Sequence, residues 1–121
     1  MAKNKSIDSA RLLADVIVKG MEEKKGKDIV LIDLREVKGA VTDFFVICEG
    51  ESDRQVQAIA RSIDEFVEKE LQEDPYHKEG FENSEWILLD YVNVVAHIFI
   101  PEKREFFALE ELWGDGEVTR Y

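Results

Sequence analysis

A single cysteine, Cys48, in 121 residues excludes an internal disulfide and leaves no Cys/His cluster at zinc-ligand spacing, which suits a reducing compartment. Two prolines and seven glycines are too few for a fibrous or disordered chain. The opening MAKNKSIDSARLL has no long apolar run after its lysines, so it reads as neither a secretory signal nor a membrane span. It also lacks the arginine-rich, acid-poor make-up of an organelle import signal, and a mature chain beginning near Met1 in the cytoplasm is expected. Positive charge is scarce: sixteen Lys and Arg face twenty-seven Asp and Glu, for a formal charge of −11. Because nucleic-acid affinity rests on neutralising phosphates, so acidic a chain is a poor candidate for wrapping DNA or RNA. Its field attracts basic partners instead, although acidity also serves plain solubility.

What is present is enough apolar material, 45% of residues, to build one core, and the length fits a single domain over 1–121. Leu12, Leu13, Val16, Ile17 and Met21 recur at helical spacing and predict a surface helix from Asp8 to about Lys25, capped by Ser6 or Asp8 and ending before Gly26. DIVLIDL (28–34) and FFVICEG (44–50) are short, bounded and apolar and read as buried strands, with REVKGAVTD as the loop between them. Ser52 suits the cap of a second helix from Asp53 to about Glu73, whose stripe Val56, Ile59, Ala60, Ile63, Phe66, Val67 and Leu71 is the strongest helical signal; Pro75 stops it.

A polar loop, DPYHKEGFENS, then leads to EWILLDYVNVVAHIFI (85–100), read as a β-hairpin turning at Val92-Asn93. Pro101 sits where a third helix begins, with Phe106, Leu109, Leu112 and Trp113 expected to face inward and Gly114 to end it. The order helix, strand, strand, helix, strand, strand, helix predicts an α/β fold of the α+β type. Its mixed sheet of four to five strands packs with three helices, with a parallel crossover through the second helix and an antiparallel final pair.

The hairpin carries the chemistry worth testing. Alternation puts Ile87, Leu89, Tyr91, Val94, Ala96, Ile98 and Ile100 on one face, an ordinary core set. The other face holds Trp86, Leu88, Asp90, Val95, His97 and Phe99, mixing apolar groups with a carboxylate, an imidazole and an indole that need polar partners if buried. Asp90 and His97 are placed to approach diagonally, but no nucleophile stands beside them, since Cys48 lies mid-strand and there is no Gly-x-Ser-x-Gly elbow. Mutual satisfaction is the simpler reading of that pair. Gly50-Glu51-Ser52 is the most enzyme-like turn, yet Asp33-Leu34-Arg35 and Asp90-Tyr91-Val92 both lack the second acid, two positions on, that a two-metal site needs. Glu51 would also repel a phosphate, so Ser52 reads as a helix cap. Trp86 with Leu88, Val95 and Phe99 reads either as core or as a protein-binding hot spot, and periodicity does not choose between them.

TDFFVICEGESDRQVQAIA, then Glu79-Gly80, EWILLDYVNVVAHIF and PEKREFFALEELW, in this order, resemble the ribosomal silencing factor family, also called the Iojap or RsfS family. The resemblance covers a core of about 7–113. It implies a nucleotidyltransferase-like fold without the catalytic acids, no enzymatic activity and no cofactor. It further implies binding to the large ribosomal subunit through ribosomal protein fourteen of that subunit (uL-fourteen), so that the small subunit cannot join and translation is damped when nutrients run short. A part in large-subunit assembly and a homodimer in the free state are implied as well.

By position, the resemblance puts the partner-binding surface on Trp86, Leu88, Asp90 and Tyr91, with His97 on the adjoining strand; Asp43, Arg54 and Gln55 match recurrent family positions. Two departures from the pattern stand out. Val92-Asn93 stands where the family usually has Gly-Asp, and because valine resists positive φ, a changed turn or register is expected. Glu49 stands where the family has a small polar residue. The rival reading is a magnesium-dependent nucleotide-binding enzyme of the same fold.

Overall fold

The computed structural model of this chain describes residues 2–121, with side chains from Ser9 onward. The elements run α1 (Ala2–Glu23), β1 (Lys27–Asp33), β2 (Phe44–Glu49), α2 (Asp53–Leu71), β3 (His77–Glu79), β4 (Trp86–Asp90), β5 (Val94–Phe99), α3 (Pro101–Phe107), the one-turn α4 (Leu109–Leu112) and β6 (Glu117–Arg120). The strands form one sheet in the order β3-β4-β5-β2-β1-β6. β2 and β5 are parallel and the other neighbours antiparallel, giving the expected mixed α+β fold. The sheet has six strands where four to five were expected, because β3 and β6 are short edge strands of mostly exposed, mostly polar residues without an alternating apolar pattern. The crossover through α2 pairs β2 with β5, not with β4, the first long strand after the helix.

One face of the sheet is covered by α1 and α2. Their buried stripes include Leu13, Ile17 and Met21 on α1 and Val56, Ile59 and Ile63 on α2, packed on Leu31, Val46, Ile87, Leu89, Ala96 and Ile98. The helices approach closely at Gly20, where a Cβ would stand 2.8 Å from the Ile63 Cα, and the Ser62 hydroxyl donates to the Gly20 carbonyl at 2.8 Å. α1 begins well before Asp8, and the Ser6 and Asp8 side chains lie outside the described residues. Leu12, expected in the stripe, is 51% exposed on the opposite side of the helix. α2 starts as expected: the Ser52 Oγ accepts the Gln55 N–H at 3.1 Å, and Gln72 ends the helix in the left-handed region.

The other face carries a second core of Val30, Ile32, Leu34, Phe45, Ile47, Val95 and Phe99, against which Trp86, Leu88, Leu109 and Trp113 pack. Its cover is thin, supplied by the C-terminal segment. The third helix is not continuous: Ala108 adopts φ 48° and divides α3 from α4. This break shifts the helical phase, so Leu109 and Trp113 reach the sheet while Phe106 and Leu112, expected inward, are 77% and 71% exposed. Arg104 holds the break in place by pairing with Glu110 of α4 at 2.9 Å and Glu49 of β2 at 3.3 Å.

The hairpin has the expected register, Trp86 opposite Phe99, Leu88 opposite His97 and Asp90 opposite Val95. The turn at Val92-Asn93 keeps the two-residue loop expected of this hairpin, and the valine itself takes φ 76°. Surrounding groups hold it there. The Asp90 Oδ1 accepts the Val92 N–H at 2.8 Å, the Thr42 hydroxyl donates to the Val92 carbonyl at 2.9 Å, and the Asn93 N–H closes a tight turn onto the Tyr91 carbonyl at 2.9 Å. A β-branched residue in this region is strained and persists only where its neighbours over-determine it.

Candidate partner-binding surface

β4 lies between the three-residue edge strand β3 and the buried β5, so its outward residues Trp86, Leu88 and Asp90 are half-buried while Ile87 and Leu89 are sealed in the core. Backbone devices set Trp86 at the start of β4. Gly80, at φ 92°, lies so close that a Cβ would come 1.9 Å from the Trp86 carbonyl oxygen, which gives the Glu79-Gly80 motif its physical reason. Gln57 of α2 donates to the Ser84 hydroxyl at 2.7 Å, and the Ile100 N–H to the Glu85 carbonyl at 2.9 Å, tying down both sides of the strand entry.

A run of rings crosses this face. Phe106 meets Phe107 at 5.0 Å between centroids, Phe107 meets Trp86 at 4.6 Å, and Trp86 stacks on Phe99 at 5.0 Å. Farther in, His97 meets the edge of Phe45 at 4.6 Å, and Phe45 meets Trp113 at 6.1 Å. Trp86 is thus neither sealed in the core nor bare: it is half-buried, with Phe99 supporting the ring and Phe107 flanking it. Phe107 and Phe106 extend the apolar surface beyond the hairpin. The sequence pattern placed Phe106 inward on a continuous third helix and did not single out Phe107; both are exposed.

His97 sits beneath this surface at 4% exposure, and its Nδ1 accepts the Trp86 indole N–H at 3.1 Å. Burial pushes its pKa down to about 3, so the ring is neutral near pH 7. The expected Asp90–His97 pairing does not form; the Asp90 carboxylate instead serves the Val92 N–H. Tyr91 lies on the opposite side of the sheet at 6% exposure, under α1 and α2. Of the five residues singled out in the sequence, the structure brings Trp86, Leu88 and Asp90 together at the surface, sets His97 under them and turns Tyr91 away.

Gln55 braces the fold: its side chain accepts the Glu51 N–H at 2.7 Å and donates to the Lys24 and Lys25 carbonyls at 3.2 and 3.3 Å. Asp43 joins the hairpin turn to β1 through its backbone, donating to the Asn93 carbonyl and accepting from Leu34, while Arg54 is exposed on α2. Glu49, the departure from the family pattern, is the β2 partner of Arg104. At the Gly50 turn, Ser52 is taken up by helix capping and Glu51 by Lys27. The Cys48 thiol is fully buried, and desolvation drives its pKa far up, away from a reactive thiolate. Among the described residues no group of three or more His, Cys, Asp or Glu is arranged to hold a metal ion, and no helix is long and apolar enough to cross a membrane.

These features describe an α+β protein whose best-formed candidate site is a contact surface of aromatic, aliphatic and acidic side chains on one side of a β-hairpin. The chain belongs to the ribosomal silencing factor family: the family model described as "Ribosomal silencing factor during starvation" matches residues 7–120. The ribosomal silencing factor RsfS of Bacillus subtilis is 42% identical over 99 residues, 81% of each chain. The mouse "Mitochondrial assembly of ribosomal large subunit protein 1" is 31% identical over 106 residues, 86% of this chain and 46% of that protein. A crystal structure of a protein from Chromobacterium violaceum superposes with a TM-score of 0.80 at 33% identity, covering 86% of this chain and 85% of that one.

Proposed function

We propose that this chain acts in the cytoplasm, as a single domain, by binding the large ribosomal subunit through ribosomal protein fourteen (uL-fourteen) and excluding the small subunit from the joining face. Membership of the silencing-factor family supports the ribosomal role, and the mouse relative's name supports the large subunit as its place. The observation that carries the surface assignment is the half-buried Trp86 indole, flanked by Phe107 and Leu88, with the Asp90 carboxylate on the same face. A buried aromatic anchor beside aliphatic groups is the usual composition of a binding hot spot. A net charge of −11 suits a basic ribosomal protein, because complementary potentials speed encounter and fix orientation.

No chemistry is required after docking. A 14.0 kDa body standing on the joining face blocks the small subunit by volume, and an interface of roughly 1,600 Å² in total is ordinary for a stable complex. The protein acts without a cofactor and without catalysis. In the free state the exposed Phe106 and Leu112 favour a homodimer, which shields apolar surface until the ribosome is met.

Co-sedimentation with separated ribosomal subunits tests this reading. The protein is expected to pellet with large subunits and not with small ones, and excess protein to prevent subunit joining. Equal pelleting with both subunits, or undisturbed joining, overturns it.

A further inference from the structure

His97 presents a physical puzzle that family membership does not resolve. Its Nδ1 accepts the Trp86 indole N–H, so the neutral imidazole carries its own hydrogen on Nε2, and that atom is buried with no hydrogen-bond partner among the described residues. A buried donor left unpaired is destabilising, and an imidazole loses more on burial than a phenyl ring of similar size. Phe45 and Phe99 already line the same pocket, so the site accommodates aromatic carbon without difficulty. What the imidazole does that a phenyl ring cannot is accept a hydrogen bond from the indole.

That bond selects between ring orientations. Stacking on Phe99 and contact with Phe107 are weakly directional, and an aromatic side chain has two broad wells about its outer torsion. Turning the indole over preserves most of its apolar contact but carries the N–H to another side. Only the His97 acceptor distinguishes the two states strongly. With Nε1 turned inward, the indole meets solvent through carbon alone.

We infer that His97 is the positioning residue of the Trp86 anchor: by accepting the indole N–H from the neighbouring strand on the same face of the sheet, it makes the presented edge wholly apolar and so sets what the partner must offer. This rests on the contact surface assigned under the proposed function and narrows it. The partner supplies an apolar pocket with no hydrogen-bond acceptor for the indole. It also supplies a cation for Asp90, four positions along the same strand and therefore about 13 Å away at ordinary strand rise.

The test uses full-length protein, isolated large ribosomal subunits, four single variants and one double variant. In the free wild-type protein the indole N–H signal assigned by Trp86→Phe should exchange with solvent about tenfold or more slowly than an unbonded indole. His97→Phe should remove that protection and weaken subunit binding about tenfold. His97→Asn, whose Oδ1 occupies nearly the position of the imidazole Nδ1, should restore most of both. In a Trp86→Ala background, His97→Phe should weaken binding no further, because a residue acting through the indole has nothing left to position.

An unprotected wild-type indole N–H overturns the inference, a measurement that stands even where His97→Phe fails to fold. So does a His97→Phe penalty that persists undiminished without Trp86, or wild-type binding by His97→Phe. If Trp86→Ala itself binds normally, the surface assignment falls; the exchange measurement still decides whether His97 holds the ring.

Discussion

Arg104 of α3 reaches Glu49 of β2 across 55 residues of sequence, at 3.3 Å, with the guanidinium also paired to Glu110 at 2.9 Å. The Arg104 side chain is only 10% exposed, whereas both carboxylates keep some contact with water. Replacing Arg104 by Met preserves much of the buried stem but leaves two acids facing each other. The expected loss is about 2 kcal/mol, below the range for a fully buried pair because the acids remain partly solvated. Urea unfolding gives the total, and amide exchange across 101–113 should show that the loss is concentrated in the segment that covers Phe99 and flanks Trp86. Uniform exchange throughout the chain would show that Arg104 does not fasten this segment.

Trp86→Ala is expected to leave the fold intact and to weaken large-subunit binding by about 2 kcal/mol or more. The half-buried ring is not a keystone of either core, so circular dichroism should be unchanged while co-sedimentation falls. Because the partner is taken to be basic, raising ionic strength should weaken wild-type binding as well. Salt-independent binding would remove the electrostatic part of the proposal and leave the apolar anchor alone.

Val92→Gly should stabilise the protein by about 1 kcal/mol. Glycine adopts φ 76° without the clash that valine suffers, and this relief exceeds the extra freedom glycine gives the unfolded chain. Val92 is 55% exposed, so little apolar burial is lost. The urea midpoint should rise; a fall would mean that the neighbours, not the residue, set the free energy of this turn.

His97 makes stability depend on pH with a definite sign. The folded-state pKa is pushed by burial to about 3 from the ordinary 6.5, so above the ordinary value the ring is neutral in both states and contributes no pH dependence. As pH falls below it, the unfolded chain takes up a proton that the folded chain refuses, and stability declines by up to about 1.4 kcal/mol per pH unit until the folded pKa is reached. Over the upper part of that window, before the carboxylates titrate, wild type should show the slope and His97→Phe should show much less of it. Parallel unfolding curves for the two proteins would refute the assignment.

The hairpin was legible because a period of two and a two-residue turn determine which residues face which; the core face under α1 and α2 followed from it, whereas the same pattern left the Trp86 face open between core and contact surface. The paired helices were legible through Ser52 and the α2 stripe. Three features were not, each for a physical reason. β3 and β6 are edge strands of a few mostly polar residues, stabilised by backbone pairing that side-chain pattern does not record. Ala108 carries no breaker signal, and its left-handed conformation accompanies an ion pair reaching to β2, beyond any local window. On paper Asp90 and Trp86 are equivalent diagonal neighbours of His97. The turn decided between them by drawing the carboxylate onto the Val92 N–H, leaving the imidazole to the indole.

β6 pairs with β1 from Val30 opposite Arg120 to Asp33 opposite Glu117, and the Tyr121 N–H adds a bond to the Ile29 carbonyl at 3.0 Å. These few mostly exposed residues therefore work as a selvedge on a strand whose middle is Val30, Leu31 and Ile32. A version of the molecule trimmed before Gly116 would bare a row of unpaired amides beside aliphatic side chains, a ready template for strand-by-strand stacking of many copies into insoluble material.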